Sequence, residues 1–540
     1  MSKSAGVPVL FPEGSEIPQN VRIASPIRQR TWLVNGELRT WEGPVREVHS
    51  PVCVRVGEKL DRVLLGSIPL MTEKESLEAL QAATAAWDHG RGAWPSMSVE
   101  GRIKAVEAFT SKMVERRAEV MNLLMWEIGK TRSDSEKEFD RTVEYIRGTI
   151  EALKETDRAA SRFTIAEGIY AQIRRSPLGV VLCMGPFNYP LNETFTTLIP
   201  ALIMGNPVVF KPPKYGVLLF EPLLEAFQKS FPPGVVNTVY GEGRTVTPPL
   251  MASGGVDVLA FIGTSKAANS LKKLHPRPHH LRSVLGLDAK NPAILLEDVD
   301  LDLAVSECLT GALSFNGQRC TAIKIIFVHR KIAEAFLDKL CAAVDALKNG
   351  MPWEDGVKIT PLPEEGKPDL LVQMVEDAEK GGASIANGGG QGAGTFYSPA
   401  VVYPVKEGMR LWSEEQFGPI VPVAVFDDIA GPLDYVVKSN YGQQVSLFGS
   451  DPHVLARLID TLANQVCRVN LNTQCQRGPD VLPFTGRKDS AEGTLSISDA
   501  LRVFSIRSLV AAKGTELNKR ILKDILDKDL SRFLSTDFIF

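Results

Sequence analysis

The 540-residue sequence lacks several features that mark particular classes of protein. It contains no apolar run of the ~18 residues that a membrane-spanning helix needs, and its first residues, MSKSAGVPVLFPEG, lack the apolar core of a signal peptide. The formal net charge is only −3, which argues against nucleic acid or an anionic membrane as the main partner. We therefore expect a cytoplasmic protein that binds neither nucleic acid nor a membrane.

Cysteine and histidine are also sparse, and neither is arranged as in a metal site. Seven cysteines are scattered without the paired spacing of a zinc site or the density of a disulfide framework. His275 and the pair His279-His280 lie in a proline-rich stretch that offers no convincing cage. This usage favours a reducing compartment, and we expect no metal. The cysteines are Cys53, Cys183, Cys308, Cys320, Cys341, Cys467 and Cys475.

What is present is typical of a multidomain α/β protein. Hydrophobic residues make up 44% of the chain and charged residues 23%, as in ordinary soluble proteins. The length exceeds the ~250–300 residues that one core organises, so two or three domains are expected. From about 178 to 298, strand-like and helix-like runs alternate, which predicts a parallel sheet with helices on both faces.

Gly, Pro, Lys and hydroxyl residues follow the predicted strands of this stretch. Open parallel sheets bind ligands beyond the carboxyl ends of their strands, so these turns are expected to hold a dinucleotide. The Gly241-x-Gly243 turn lacks the third glycine of the Rossmann fingerprint and is weak evidence by itself. The four turns are Gly185–Pro190, Lys211–Lys214, Gly241–Gly243 and Gly263–Ser265.

One cysteine has the surroundings of a nucleophile. Cys320 lies among small and polar residues, between the apolar runs Leu309–Leu313 and Ile323–Val328. A thiol attacks as its thiolate, which a neighbouring cation such as Arg319 favours. Taken alone, a buried structural cysteine explains the pattern equally well.

Five segments decide between these interpretations, because their order and spacing resemble those of the aldehyde dehydrogenase superfamily over roughly residues 70–510. In finer detail the sequence resembles the non-phosphorylating, NADP-dependent glyceraldehyde-3-phosphate dehydrogenase branch. The segments are Gly-Pro-Phe-Asn-Tyr-Pro (185–190), Lys-Pro-Pro (211–213), Gly-Thr-Ser (263–265), Gly-Gln-Arg-Cys (317–320) and Glu-Glu-Gln-Phe-Gly-Pro (414–419).

The resemblance implies an α/β fold in which a Rossmann-type parallel-sheet cofactor domain joins an α/β catalytic domain and a small β oligomerisation element. The strand-like runs at 160–175 and Leu501–Ile506 would pair in that element, and a homodimer or homotetramer is expected. The expected units are an N-terminal arm (1–70), the dinucleotide-binding domain (71–158 and 178–298), the catalytic domain (299–495), the oligomerisation element (159–177 and 496–512) and a C-terminal extension (513–540).

The resemblance also assigns roles. Cys320 matches the nucleophile that adds to the aldehyde carbon, and Asn188 matches the amide that stabilises the resulting oxyanion. Hydride transfer to the nicotinamide would leave a thioester for hydrolysis. Lys214 stands where many NAD-preferring relatives have Glu, which favours NADP while leaving NAD possible. The implied cofactor-binding residues are Lys211, Lys214, Gly241, Gly263, Thr264, Glu415 and Phe417.

Four residues match those that hold the substrate phosphate in the glyceraldehyde-3-phosphate branch. They are Arg141, Tyr189, Arg319 and Arg477. Three guanidinium groups and a phenol converging on one site would be costly without an anion to pair with. The expected partner is therefore a small phosphorylated aldehyde, although each residue by itself is compatible with a structural salt bridge.

One position departs from the superfamily pattern. Gly286 aligns where a glutamate usually serves as general base for thioester hydrolysis. Asp288 is a candidate replacement; otherwise another group activates water, or coenzyme A accepts the acyl group. We expect oxidation of glyceraldehyde 3-phosphate to 3-phosphoglycerate without inorganic phosphate. The alternatives are another small anionic aldehyde or semialdehyde, possibly with acyl transfer to coenzyme A, and a catalytically impaired pseudoenzyme with a binding role.

Overall fold

The computed structural model describes residues 10–539. Its helices are α1 (Glu73–Trp87), α2 (Val99–Glu115), α3 (Arg117–Ile128), α4 (Arg132–Ala160), α5 (Asn192–Ile203), α6 (Leu224–Ser230), α7 (Gly243–Ala252), α8 (Ser265–Leu274), α9 (Leu301–Leu313), α10 (Ala333–Asp345), α11 (Lys367–Lys380), α12 (Arg410–Ser413), α13 (Ala430–Lys438), α14 (Pro452–Leu462), α15 (Ile497–Val503) and α16 (Glu516–Asp527). None of the helices in this range is long and apolar enough to cross a membrane.

The strands are β1 (Ile27–Arg28), β2 (Thr31–Val34), β3 (Glu37–Thr40), β4 (Val45–Val56), β5 (Lys59–Pro69), β6 (Phe163–Ala166), β7 (Ile169–Pro177), β8 (Val181–Met184), β9 (Val208–Lys211), β10 (Val236–Thr238), β11 (Val258–Ile262), β12 (Arg282–Gly286), β13 (Asn291–Leu295), β14 (Ile323–His329), β15 (Ser384–Ile385), β16 (Gly392–Ala393), β17 (Phe396–Tyr397), β18 (Ala400–Tyr403), β19 (Ile420–Phe426), β20 (Tyr441–Gly442), β21 (Gln444–Phe448), β22 (Arg468–Leu471), β23 (Arg487–Lys488), β24 (Ala491–Glu492) and β25 (Ser505–Lys513).

The predicted parallel sheet is present as a six-stranded sheet in the order β10-β9-β8-β11-β12-β24. Its first five strands are parallel, and β24 closes the edge in antiparallel orientation. Every residue of β8 is buried, as expected for a strand covered by helices on both faces. Thr72 and Glu75 form a capping box at the start of α1, as the spacing Thr-x-x-Glu predicts.

A second, seven-stranded sheet runs in the order β15-β18-β19-β14-β13-β21-β22 and is parallel except for β15. β12 of the first sheet ends at Gly286, and β13 of the second begins at Asn291. Only four residues therefore join the two sheets. The strand β14, which follows Cys320, pairs with β13 and lies at the centre of the second sheet.

A small antiparallel sheet, β25-β7-β6, lies outside these two. β25 pairs with β7 along its whole length, from Ser505 opposite Pro177 to Lys513 opposite Ile169. The strand predicted at Leu501–Ile506 is wrong in its placement, since residues 497–503 form α15 and β25 starts at Ser505. The apolar run that suggested a strand is the buried face of that short helix, through Leu501.

Two further sequence predictions differ from the structure because of proline and turn geometry. The apolar pattern of residues 218–231 predicts one helix, but the segment starts as a 3₁₀-helix, Leu218–Leu223, and becomes α-helical only after Pro222. Proline cannot donate a backbone hydrogen bond, so it interrupts the α-helical ladder there. The residue pattern of 396–402 predicts one strand, but the segment is divided into β17 and β18, which belong to different sheets.

Candidate active site

A cavity of about 990 Å³ lies where the carboxyl edge of the first sheet meets the start of β14. It brings together most of the residues that the sequence singled out, although they are spread over more than 300 positions. The predicted site residues that line it are Arg141, Asn188, Tyr189, Lys214, Gly263, Thr264, Arg319, Cys320, Glu415, Phe417 and Arg477. Lys211 and Gly241, the other two, do not contribute to its lining.

Cys320 sits on a tightly turned loop. The preceding 3₁₀-turn, Ser314–Gly317, has positive φ angles at Phe315 (49°), Asn316 (57°) and Gly317 (69°). Asn291, at the start of β13, fixes the loop from the other side, since its Nδ2 donates to the Cys320 carbonyl oxygen at 2.8 Å. The Cys320 loop is thus held by β13, the neighbour of the strand β14 that follows the loop.

The thiol is not pre-ionised. Burial raises the pKa of Cys320, and the nearby Glu415 carboxylate raises it further. A hydrogen bond with the Gln443 side chain and the positive charges of Lys324 and Arg319 act in the opposite direction. Formation of the thiolate at neutral pH therefore depends on these three groups and on what a bound ligand adds.

Asn188 is buried in the turn after β8, and its side chain is held towards the cysteine loop. Its Nδ2 donates to the Gln318 carbonyl oxygen at 2.8 Å. The backbone carbonyl oxygen of Asn188 accepts a hydrogen bond from Lys130 Nζ at 2.8 Å. Lys130 is fully buried and forms an ion pair with Glu138, so the Asn188 turn is anchored to α4.

Gly286 occupies the position at which the family resemblance places a general base, and it offers no side chain there. Gly286 ends β12 and lines the cavity. A Cβ built there would meet Ile262 at 3.5 Å and Leu495 at 3.8 Å, which are ordinary contacts. Asp288 also lines the cavity, but its Oδ2 accepts from the Ser265 N–H at 2.7 Å. This carboxylate therefore caps the start of α8, where anions are favoured.

Glu415 lies in the cavity floor beside a buried lysine. Burial raises the pKa of the Glu415 carboxyl, while Lys324 lowers it. Lys324 Nζ is 3.5 Å from Glu415 Oε1 and donates to the Gly317 carbonyl oxygen at 2.9 Å. Burial lowers the Lys324 pKa to about 8. Phe417, with φ at 43°, places its ring 4.5 Å from Lys324 Nζ.

The turns after β9 and β10 form a cationic corner. Lys211 is buried behind the cavity wall, its Nζ donates to the Pro212 carbonyl oxygen at 3.0 Å, and burial lowers its pKa to about 8. Lys214 is exposed at the cavity rim. Arg46, from β4, reaches the same corner, where it forms an ion pair with Glu242 of the Gly241–Gly243 turn. Gly241 has φ at 116°, a conformation that favours glycine.

The residues predicted to hold a phosphate converge, but two of them are already paired. Asp480 accepts two hydrogen bonds from Arg141, at 2.7 and 2.9 Å, and one from Arg477 Nε at 3.2 Å. Arg477 also forms an ion pair with Glu193. Arg319 differs, because it donates only to backbone carbonyl oxygens and its buried Nε has no hydrogen-bond partner among the described residues.

Tyr189 completes this end of the cavity. Its ring lies 3.6 Å from Lys130 Nζ and 5.9 Å, in an edge contact, from Phe315. Burial raises the pKa of its phenol to about 12, so the hydroxyl stays protonated and can donate a hydrogen bond at neutral pH.

Sequence reasoning missed five residues that act on the site. Two left a signal: Lys324 is the single charge in the apolar strand β14, and Asp480 follows Arg477 by three positions. The other three had none, since only the tertiary structure brings them to the cavity or to Cys320. The missed residues are Arg46, Glu193, Lys324, Gln443 and Asp480.

Comparisons with known proteins agree with this geometry. The Aldehyde dehydrogenase family profile matches residues 49–509. The chain is 32% identical to the NADP-dependent glyceraldehyde-3-phosphate dehydrogenase of Streptococcus equinus over 489 residues, covering 89% of this chain and 97% of the relative. It is 28% identical to the chloroplastic betaine aldehyde dehydrogenase of Beta vulgaris over 463 residues, covering 84% and 91%.

Among solved structures, the NADP complex of NADP-dependent glyceraldehyde-3-phosphate dehydrogenase from Bacillus halodurans C-125 superposes with a TM-score of 0.82 at 30% identity, covering 90% of this chain and 100% of that one. Sequence relatives named for different aldehydes thus match most of this chain. The match over most of the chain confirms the family, the fold class and the aldehyde-oxidising type that the five segments predicted. This chain belongs to the aldehyde dehydrogenase family and is an NAD(P)-dependent aldehyde dehydrogenase.

Proposed function

We propose that this protein oxidises glyceraldehyde 3-phosphate to 3-phosphoglycerate with NADP, through a thioester on Cys320 and without inorganic phosphate. The observation that carries the proposal is the lining of one cavity by Cys320 together with Arg141, Tyr189, Arg319 and Arg477. Three guanidinium groups and a phenolic hydroxyl suit a phosphate oxygen cluster. The relatives from Streptococcus equinus and Bacillus halodurans C-125 are both named NADP-dependent glyceraldehyde-3-phosphate dehydrogenase.

The residues of the cofactor side fit a phosphorylated dinucleotide. Lys214 and Arg46 place cations beside the turn after β9, where a 2′-phosphate would be held. Glu415 Oε1 has no hydrogen-bond partner among residues 10–539 and lies 3.5 Å from Lys324 Nζ, so it can accept from a ribose hydroxyl. Thr264 caps the start of α8, and the positive end of that helix dipole favours a pyrophosphate.

The chemistry follows from the positions of Cys320 and Asn188. The ionised Cys320 sulfur bonds to the aldehyde carbon, and the carbonyl oxygen becomes an alkoxide. The Asn188 amide and the Cys320 backbone N–H donate hydrogen bonds to this oxygen. A bound NADP would supply the hydride acceptor, and loss of hydride from that carbon would leave a thioester on Cys320. Water then adds to the thioester, the C–S bond breaks, and the sulfur leaves as the thiol or thiolate.

Deacylation is the step for which this chain provides no side chain at the usual position, because residue 286 is glycine. Asp288, the nearest carboxylate in sequence, is engaged in capping α8 through the Ser265 N–H. This observation favours one second candidate, in which coenzyme A rather than water cleaves the thioester. A pseudoenzyme is less favoured, since Cys320, Asn188 and Glu415 are all in place.

The test is NADPH formation from glyceraldehyde 3-phosphate and NADP without inorganic phosphate, with and without coenzyme A. Turnover without coenzyme A is the expected result. Turnover only with coenzyme A would assign the acylating reaction instead. A single stoichiometric burst would mean that deacylation fails, and no NADPH at all, with NADP still bound, would support the pseudoenzyme.

The assembly belongs to the proposal as well. β25 is the edge strand of its sheet, and Ile506, Leu509 and Val510 on it are exposed. An edge strand with exposed apolar residues favours pairing with another chain. A homodimer or homotetramer is expected by light scattering after gel filtration, and a monomer at micromolar concentration would contradict it.

A further inference from the structure

We propose that Glu193 determines how strongly the substrate end of the cavity prefers a doubly charged aldehyde, by neutralising Arg477. This inference rests on the proposed function and assigns a specificity residue to the same site. Glu193 lies in the first turn of α5, lines the cavity and is 8% exposed. The resemblance to known enzymes pointed to the turn before α5 but not to this residue.

The ion pair between Glu193 and Arg477 is buried on both sides, with side-chain exposures of 10% and 5%. Buried charges interact more strongly than exposed ones because little water screens them. An anionic substrate group that approaches Arg477 therefore meets the Glu193 carboxylate as well. Glu193 competes with the substrate for the same guanidinium.

The charges at this end can be counted from the contacts. Arg141, Arg319 and Arg477 contribute three positive charges, and Asp480 and Glu193 contribute two negative charges, which leaves one in excess. The Lys130–Glu138 pair adds nothing. A phosphate monoester carries up to two negative charges at neutral pH. Removal of the Glu193 charge would leave two positive charges in excess, which equals the charge of a phosphate dianion.

Arg477 does not need Glu193 to stay in position. Its Nε donates to Asp480 at 3.2 Å, its Nη2 donates to the Leu495 carbonyl oxygen at 3.1 Å, and its guanidinium lies 4.6 Å from the Phe484 ring centre. A glutamine at position 193 keeps an oxygen that can accept from Arg477. The substitution therefore changes charge while conserving geometry. Asp480, by contrast, orients both Arg141 and Arg477.

The experiment compares kcat/KM for glyceraldehyde 3-phosphate with kcat/KM for uncharged glyceraldehyde. Glu193→Gln is expected to raise this ratio about tenfold, through a lower KM for the phosphorylated aldehyde. Asp480→Asn is expected to lower the ratio, because both carboxylate oxygens of Asp480 hold the guanidinium groups and an amide keeps only one of them. Glu155→Gln is the matched control, since Glu155 is an exposed carboxylate that pairs with Arg158 on α4 and does not line the cavity; the ratio for this variant should equal that of the wild type.

An unchanged or lower ratio in a folded Glu193→Gln variant, judged by NADP binding and thermal unfolding, overturns the proposal. Should that variant not fold, Glu193→Met fills a similar volume without charge and carries the same expectation. Wild-type turnover is measured first. Its absence contradicts the proposed function, whereas wild-type turnover with no change in the ratio contradicts only the role of Glu193.

Discussion

The two sides of Cys320 differ in how completely they are built. On one side, Asn188 is held by Lys130 and donates to the loop that carries the cysteine. On the other side, β12 ends at Gly286, which has no side chain, and Asp288 is engaged with the start of α8. In the proposed reaction, the first side serves addition to the aldehyde and the second serves release of the acyl group.

This difference teaches that the reaction can be divided at the thioester. The residues proposed as nucleophile, oxyanion donor and ribose partner all line the cavity, so each proposed step up to hydride transfer has its side chain. Cleavage of the thioester has no side chain at position 286 and must use another group or another acyl acceptor. Substitutions that affect one side only should separate the burst of NADPH from its steady-state formation.

The largest effect is expected from Cys320→Ser. A serine hydroxyl without a base is a far weaker nucleophile than a thiolate, so NADPH formation should fall by at least ~10⁴-fold, burst included. Stopped-flow absorbance of NADPH measures this. NADP binding, followed by fluorescence, should stay as in the wild type; a burst of normal size in this variant would show that Cys320 is not the nucleophile.

Gly286→Glu should supply a general base on the side of Cys320 that lacks one. The site accepts a Cβ at ordinary contact distances, and a general base is typically worth ~10²–10⁴ in rate. If deacylation by water limits turnover, the steady-state rate should rise towards the burst rate while the burst itself stays the same. Gly286→Gln has the same size and no base, and should give no gain. Equal gains in both variants would contradict the catalytic reading of this position.

Asn188→Ala tests the side of Cys320 that carries the proposed oxyanion donor. Loss of one oxyanion donor typically costs ~10²–10³ in turnover, and here it should lower the burst rate by that factor. Rapid mixing separates the burst from the steady state. A slower steady state with an unchanged burst would place Asn188 in deacylation instead.

Lys214→Ala should give the smallest change. The lysine is exposed at the cavity rim, so removing its charge should raise KM for NADP by about tenfold and leave KM for NAD near its wild-type value. Initial rates with both cofactors measure this. Lys229→Ala, on the exposed face of α6, is the control. An equal loss with NAD would show that Lys214 does not contact the 2′-phosphate.

The core of the site was predictable because its residues follow strands with strong local patterns. The turns after β8, β9 and β11 lie at the carboxyl edge of one parallel sheet, as the alternation of strands and helices predicted. Gln443 and Glu193 could not be predicted in this way. Each reaches Cys320 or Arg477 across more than 100 residues of sequence, and no local period encodes such a contact.

The sequence by itself determined the fold, the candidate nucleophile Cys320 and the absence of a glutamate at position 286, because these depend on residue identity and on the periodicity of buried strands. Only the tertiary structure decided the charge state of the site. Burial raises the pKa of Cys320 and lowers that of Lys324, and Asp480 and Glu193 neutralise two of the three arginines. These properties depend on desolvation and on distances between groups from separate elements, which exist only once the chain has folded.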